Sequence, residues 1–422
     1  MSVARLVVFT FFMVGVLTGI NVQVFRWARN AFGLGGLSGR VLKAALVLSV
    51  AGMVLGRVAD RFWPNVLTHF IIAVASTVQL AAVISGILLL LADAVRFLWR
   101  LPGRLRTRLS PSPPPAAESA PSVSVAPTEG AEPVAVPRRA LLTQAVAGSA
   151  FLIGSSSSLY GSLKGRYDYV LEELPVTIPG LSRALDGFSI AQLSDVHIGV
   201  YVGDAELAIA EELLRQAKPD LIVLTGDLLD NDPRLAGRLG RFVRRLTPLA
   251  RHGVFAISGN HDYFAGVDDV ANAVRGAGAR MLRNDGLIIG EPGAGFALLG
   301  VDDVWARREG LGPDLPRAVN ALPKVGGRIA PARDLPRVLL CHNPSFFAES
   351  AGQVALQMSG HTHGGQVNLG IRPADYLLPG GWVAGRYDLN GSALYVNRGF
   401  GTVGPPARIG APPEVTRLVL RA

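Results

Sequence analysis

A chain of 422 residues with a mean hydropathy of +0.34 is too long for one compact domain and too apolar for an ordinary soluble enzyme, so part of it belongs in a membrane. A formal charge of +9 raises the question of nucleic acid, but lysine is scarce and many arginines flank apolar segments, where membrane topology places them; no nucleic-acid partner is expected. The single cysteine, Cys341, precludes an intrachain disulfide, leaves the compartment open, and reads as a small buried hydrophobe beside His342.

Val3 to about Ile20, Val41 to about Leu55 and Val66 to Leu91 predict about three membrane helices within residues 1–97. No small-residue cleavage site follows the first, so it is a helix rather than a cleaved signal. The second is shorter and has Lys43 at its edge, where the side chain can snorkel; in the third, His69 reads as an interfacial residue. Arg96, Arg100, Arg104, Arg106 and Arg108 put the end of the third helix in the cytoplasm, which places the loop with Arg26, Arg29 and Arg40 there too and the N-terminus outside. Arg57 and Arg61 then fall outside, against the rule.

Residues 98–137 form a basic flank and then a stretch from Ser110 to Pro137 that is rich in Pro, Ala and Ser; it cannot bury enough surface to fold and predicts an extended linker. Residues 138–166 open on Arg138-Arg139 before a weak apolar run to Ile153, resembling an internal twin-arginine export signal, with Pro137 and Leu141 departing from its usual pattern. The alternative is an amphipathic or interfacial helix on the cytoplasmic side.

From about Tyr167 strand-like runs alternate with helical ones such as Asp204 to Gln216, and residues 167–422 make up a second domain. Five short apolar runs end in metal-binding chemistry: Phe188 to Leu193 before Asp195-Val196-His197, Leu221 to Leu224 before Gly226-Asp227, Val254 to Ile257 before Gly259-Asn260-His261-Asp262, Val338 to Cys341 before His342, and Val354 to Met358 before Gly360-His361-Thr362-His363. Ligands bind where loops leave the carboxyl ends of strands in α/β sheets, and five of the seven histidines sit at these five ends. Later strands fall at Phe296 to Gly300, Ala393 to Val396 and Arg417 to Leu420, while Gly310 to Pro336 reads as a surface loop near the cleft.

The ordered set Asp195-x-His197, Gly226-Asp227-x-x-Asp230, Gly259-Asn260-His261-Asp262, His342 and Gly360-His361-x-His363 resembles the calcineurin-like metallophosphoesterases. The forms Leu340-Cys341-His342-Asn343-Pro344, Ser359 to Gln366 and Tyr395 to Gly401 are similar to its membrane-associated bacterial branch, the YkuE-like phosphoesterases. The resemblance covers roughly the last 250 residues. It implies an α/β fold, a two-sheet sandwich with flanking helices, here preceded by an N-terminal helical transmembrane region.

The donors are carboxylate, carboxamide and imidazole with no thiolate, a set that suits two divalent metal ions drawn from Mn, Fe or Zn. Carried over from the family, Asp195, His197 and His363 would hold the first ion, Asn260, His342 and His361 the second, and Asp227 would bridge them. His261 would contact phosphate and protonate the leaving oxygen, with Asp262 orienting its other nitrogen. Three positions keep two readings each: Asp230 holds a loop or touches metal, Gly364 and Gly365 form a turn or bring N–H groups to phosphate, and Arg398 makes an ion pair or clamps phosphate.

The expected function is hydrolysis of phosphomonoester or phosphodiester bonds by a membrane-anchored enzyme, with the catalytic domain outside a bacterial cytoplasmic membrane. Tethering favours a lipid-linked or cell-envelope phosphoester as substrate. Tyr376 to Trp382 reads either as an apolar rim for acyl chains or as a packed surface loop. The rival function is a non-catalytic membrane receptor or scaffold that retains the fold. Oligomeric state is left open.

Overall fold

The computed structural model describes residues 3–109, 137–291, 294–325, 328–329 and 335–422; the stretch expected as a linker, 110–136, lies outside the described residues. The chain divides into two units, Met1–Gly56 with Val74–Ser158 and Arg57–Ala73 with Leu159–Ala422.

The first unit is built from helix α1 (Val3–Phe32) and the larger parts of α2 (Gly36–Phe62), α3 (Val66–Leu109) and α4 (Arg138–Leu163). Among the described residues four helices are long and apolar enough to cross a membrane, where the sequence led us to expect about three. The fourth is α4, the stretch resembling an export signal. Within this unit it joins the others in one apolar cluster, Ala147 and Ala150 packing with Trp27, Leu46, Ala82 and Leu89. Gly154 lets α4 press against Ala81 and Ser85 of α3, and Ser85 and Ser158 donate to the carbonyls of Ala150 (3.1 Å) and Thr77 (2.7 Å). Of the serines that diluted the hydropathy of α4, Ser158 is therefore satisfied between helices, while Ser156 donates to the Leu152 carbonyl (2.7 Å) within its own helix. Asn21 of α1 and Gln79 of α3 exchange amide hydrogen bonds, and Ser49 of α2 donates to Gln79 (2.8 Å), so three helices share a buried polar knot.

The second unit begins with the α2–α3 turn, where Pro64 blocks continuation of the helix and Asn65 Oδ1 caps α3 by accepting from Leu67 (2.9 Å) and Thr68 (3.0 Å). After α4 come β1 (Val170–Thr177), β2 (Ser189–Leu193), α5 (Asp204–Ala217), β3 (Leu221–Thr225), α6 (Ala236–Leu246), β4 (Val254–Ile257), α7 (Asn260–Ala265), α8 (Val267–Gly276) and β5 (Arg280–Met281). There follow β6 (Asp285–Ile289), β7 (Phe296–Gly300), α9 (Leu315–Asn320), β8 (Lys324–Val325), β9 (Arg328–Ile329), β10 (Arg337–Leu340), α10 (Phe347–Ser350), β11 (Leu356–Ser359), α11 (Ala374–Leu377), β12 (Gly385–Leu389), β13 (Ser392–Val396) and β14 (Glu414–Arg421).

Two six-stranded mixed sheets face each other, in the orders β1-β14-β2-β3-β4-β5 and β12-β13-β11-β10-β7-β6. The strands that carry the motifs, β2, β3 and β4 in one sheet and β10 and β11 in the other, run parallel to one another within each sheet, so their carboxyl ends gather at one edge. Alternation along β3 shows the layering: Leu221 and Val223 point to the second sheet, while Ile222 and Leu224 pack under α5, α6 and α8. Because both faces of each central strand are covered, these strands read as continuous apolar runs.

The stretch from Gly310 to Pro336 is not wholly a loop. It contains α9, capped by Asp314 accepting from the Arg317 N–H (2.9 Å), and Leu315 and Ala318 pack on Leu299 and Leu339. Asp followed by Leu-Pro is an N-cap with proline in the first turn, a signal overlooked amid the surrounding glycines and prolines. Residues 326–327 and 330–334 of that stretch lie outside the described residues.

A candidate two-metal centre at the strand ends

Each motif residue follows a buried strand and turns at once into the space between the sheets. Five of them do so in the left-handed region, Asp195 (φ 51°), His197 (51°), Asp227 (52°), His361 (73°) and His363 (52°), a conformation uncommon outside glycine. Two glycines are needed for close approach. A Cβ on Gly259 would strike the Asp227 carboxylate, and one on Gly360 would strike Ser194 and Asp195.

The chain brings together all seven residues expected as ligands at one end of the sandwich, six of them in two triads. In the first, Nε2 of His363 lies 3.1 Å from Nε2 of His197 and 3.4 Å from Oδ1 of Asp195. In the second, Nε2 of His342 lies 3.2 Å from Nδ1 of His361 and 3.2 Å from Oδ2 of Asp227. The same Asp227 oxygen is 3.6 Å from Nε2 of His197, so it stands between the triads. Asn260 opens α7, and its Oδ1 is buried with no hydrogen-bond partner among the described residues.

Several contacts fix these side chains. His342 donates from Nδ1 to the Thr225 carbonyl (2.8 Å), which leaves Nε2 as its ligand nitrogen. The Asp195 carboxylate accepts from the His361 N–H (3.0 and 2.9 Å) and from Ser194 Oγ (2.6 Å), and Asp227 Oδ1 accepts from the His261 N–H (2.8 Å). Gln192 of β2 ties the sheets together below the site by donating to Thr225 (2.8 Å) and to the Ser359 carbonyl (2.9 Å).

Burial works against charge on Asp227, yet the surrounding His342, His197 and His261 hold its carboxyl well below the usual range. His342 is the counterpart: burial opposes its charge, but Asp227, Asp195 and Asp303 raise it well above an ordinary imidazole. His363 is pushed well down by burial, by Arg408 and by His197, and His361 is lowered by burial and by His342. A ring nitrogen and a carboxylate oxygen a little over 3 Å apart need a cation or a proton between them: His361 and His363 are held in the neutral form a metal takes, while His342 is held as a cation beside Asp227, a charge that an ion between them would replace. With the orphaned Asn260 oxygen and the all-oxygen-and-nitrogen donor set, these residues fit two divalent ions.

The contacts of His261 correct one expectation. Its Nδ1 lies 2.6 Å from the carbonyl oxygen of Asp230 and 3.3 Å from the Asp230 carboxylate, so Asp230, not Asp262, orients the ring. Asp262 is buried and faces backbone instead: it accepts from the N–H groups of Leu228 (2.9 Å), Leu229 (3.1 Å) and Gly259 (2.9 Å). Sequence adjacency misled here because α7 begins at Asn260 and sets Asp262 in its first turn, where a carboxylate folds back onto the helix start. Burial opposes the charge of His261, yet the bond to Asp230 and the charges of Asp227 and Asp230 prevail and hold its pKa at about 9.

Two open readings resolve. Arg398 is an ion-pair residue, with Nη2 2.6 Å from Glu172 and 2.5 Å from the buried Glu414. Gly364 and Gly365 close a turn, their N–H groups donating to Thr362 Oγ1 (3.3 Å) and to the Thr362 carbonyl (2.9 Å).

Sequence reasoning missed three features. Arg408 is fully buried; it donates to the carbonyls of His363 (2.9 Å), Arg398 (2.6 Å), Gly399 (3.1 Å) and Gly401, and meets His363 Nδ1 at 3.1 Å. Asp303, at the end of β7, is buried beside the second triad, where burial raises its carboxyl against the pull of His342 and His361. Phe264 and Trp305 stand edge to face (5.1 Å) next to His261, whose ring is 5.2 Å from Phe264. An arginine in a Pro-rich loop and an Asp-Asp pair after a strand carry no motif, so little in the sequence could have found them.

The Bacillus subtilis protein named uncharacterized metallophosphoesterase YkuE is 30% identical over 273 residues, covering 62% of this chain and 90% of that one. Proteins named transmembrane protein with metallophosphoesterase domain are 28% identical over 285 residues in Danio rerio and 30% over 291 residues in Bos taurus, covering 64% and 65% of this chain. The match spans 62% of the length of each of these two vertebrate relatives. The family model for calcineurin-like phosphoesterases matches residues 188–365, a span that holds every strand end of the two triads, and the chain belongs to that metallophosphoesterase family.

Proposed function

We propose that this chain is a membrane-anchored phosphoesterase that uses two divalent ions to hydrolyse a phosphomonoester or phosphodiester, with a lipid-linked or cell-envelope substrate. The observation that carries the reading is the placement of Asp227 Oδ2, 3.2 Å from His342 and 3.6 Å from His197, one imidazole from each triad. A carboxylate there can serve two ions, with Asp195, His197 and His363 on one side and Asn260, His342 and His361 on the other. When bound, such a pair neutralises phosphoryl oxygens and supplies an acidified water at neutral pH.

The chain's own residues supply the rest. Asp230 accepts from Nδ1 of His261 and fixes the ring, so that a protonated His261 offers its Nε2 proton to the departing oxygen. The Phe264 ring stands edge to face beside His261 (5.2 Å) and is itself backed by Trp305 (5.1 Å), which walls one side of the imidazole. Mn, Fe and Zn all suit the donor set.

Four candidate spans and a basic third-helix flank together support an extracytoplasmic catalytic domain in a bacterial cytoplasmic membrane: if α4 crosses, the domain lies opposite Arg96 and its neighbours without any export signal. Reporter fusions after Ser110 should read as cytoplasmic and fusions after Gly165 as external. The purified full chain in detergent should cleave an aryl phosphodiester or monoester with added Mn²⁺ and lose activity to a chelator. A folded, metal-loaded chain inert toward a broad phosphoester panel would overturn the catalytic reading, and rapid cleavage of soluble nucleotides beside indifference to every lipid phosphate would overturn the substrate class.

A further inference from the structure

We propose that the segment 369–377 is a membrane-contact lobe, an apolar rim beside the candidate metal loop that seats in the lipid bilayer crossed by the chain's own helices. Leu369, Ile371, Tyr376 and Leu377 are 40%, 69%, 85% and 79% exposed, a cluster of large apolar side chains turned away from the core. The expected rim from Tyr376 to Trp382 thus divides. Trp382 turns inward to pack edge to face against Phe347 (5.4 Å), and Tyr376 and Leu377 turn outward on α11.

The lobe is held firmly enough to present these side chains. Arg372 and Asp375 bridge it at 2.7 Å, and its base leans on Gly365, where a Cβ would meet Arg372 Cγ at 3.2 Å and Ala374 Cβ at 3.4 Å. Gly365 is two residues past His363, so the rim and the first triad share a foundation.

The occupant follows from what the root of the lobe touches. Asn368 donates to the carbonyls of Ile409 (2.8 Å) and Gly410 (3.2 Å). Ile409 lies against Gly161 in the last turns of α4, and the Arg408 N–H donates to the Gly161 carbonyl (3.1 Å). Within the same stretch the Gly404 carbonyl accepts from Arg57 (2.8 Å) in the last turns of α2, and the α2–α3 connection that follows exposes Phe62, Trp63, Val66 and Leu67. Residues 404–410 therefore touch the last turns of two candidate spans, α4 at Gly161 and α2 at Arg57, and the lobe. Aromatic and aliphatic side chains gathered where helices leave the hydrocarbon are the usual anchors of a membrane interface. The apolar medium next to this rim is the bilayer.

This deepens the proposed function, since a rim in the bilayer would bring headgroup phosphates to the mouth of the site, but the contact itself needs no catalysis and is measured without it. A fluorophore is attached at Tyr376→Cys or Leu377→Cys in the full chain, the native Cys341 being buried, and the protein is reconstituted into phosphatidylcholine/phosphatidylglycerol vesicles. Quenching by spin-labelled lipid should exceed that of a probe at Arg251→Cys several-fold, and quenching by aqueous iodide should be weaker. Arg251 precedes β4 and lies at the end of the sheet away from the site. Lobe probes quenched by iodide and not by lipid would overturn the proposal, as would probes shielded from both quenchers, the result expected of a surface covered by protein. In parallel, Tyr376→Ser with Leu377→Ser should lower turnover of a phosphatidate carried in those vesicles several-fold and leave a soluble aryl ester unchanged. Lipid quenching with no effect on either substrate would uphold the contact and count against the lipid-linked substrate alone.

Discussion

Asp230 holds His261 with two oxygens: its carbonyl lies 2.6 Å and its carboxylate 3.3 Å from the same Nδ1. That pairing commits the Nδ1 proton and leaves Nε2 as the nitrogen available for the proposed proton transfer. His261→Gln should therefore keep its metal content and lose turnover by roughly 10²- to 10⁴-fold, most with poor leaving groups. Asp230→Asn keeps the carbonyl contact and loses the charge, so it should cost about 10- to 100-fold in activity. Metal analysis beside kinetics checks both, and loss of metal in His261→Gln would show that the imidazole is a ligand.

Asp262 should behave as a structural residue. Replacing it with Ala strands three N–H donors, those of Leu228, Leu229 and Gly259, at a cost of about 1–3 kcal/mol for each one left unpaired. Thermal melting should fall while the folded fraction keeps turning over. A variant that melts like wild type but turns over slowly would return Asp262 to the catalytic group.

Asp227→Asn should weaken both ions together, because one carboxylate oxygen stands within reach of both triads. Elemental analysis after dialysis should find both sites depleted, whereas Asn260→Ala should deplete one. Retention of one full equivalent in Asp227→Asn would mean that Asp227 serves a single site.

Much of this centre was legible because the chemistry follows the strands. Once β2, β3, β4, β10 and β11 are recognised as buried apolar runs, parallel packing brings Asp195, Asp227, Asn260, His342 and His361 to one edge with few alternatives. The partner of His261 was not legible, because it depends on how the turn after Asp227 swings Asp230 back over α7. Nor was α4: a helix of alanine, glycine and serine is weakly apolar as a string and becomes a bundle member only when Ser85 and Ser158 find carbonyls on a neighbouring helix. Arg408 looks like any loop arginine until the carbonyls around it are in place.

That guanidinium gives a further test. Arg408→Met would leave the carbonyls of Arg398, Gly399, Gly401 and His363 without their donor, and the loss should exceed about 3 kcal/mol. Arg408→Lys should restore little of it, since one ammonium cannot reproduce a planar fork. Denaturant midpoints of the two variants beside wild type decide the matter.

Phe264→Ala should change preference more than chemistry. Removing the ring 5.2 Å from His261 should lower kcat/KM for aromatic leaving groups several-fold relative to alkyl ones, with metal content unaltered. Equal losses on both classes would assign Phe264 to holding the His261 ring.

The left-handed backbone at Asp195, His197, Asp227, His361 and His363 sets folding and function against each other. A side chain in that conformation costs on the order of 1 kcal/mol or more that glycine would not incur. At His361, replacement by glycine and by alanine would remove the same imidazole, and the glycine variant should be the more stable by about that amount. A chain selected for stability alone would have drifted toward glycine at these five places, and the aspartates and histidines that stand there are the mark of selection for something else.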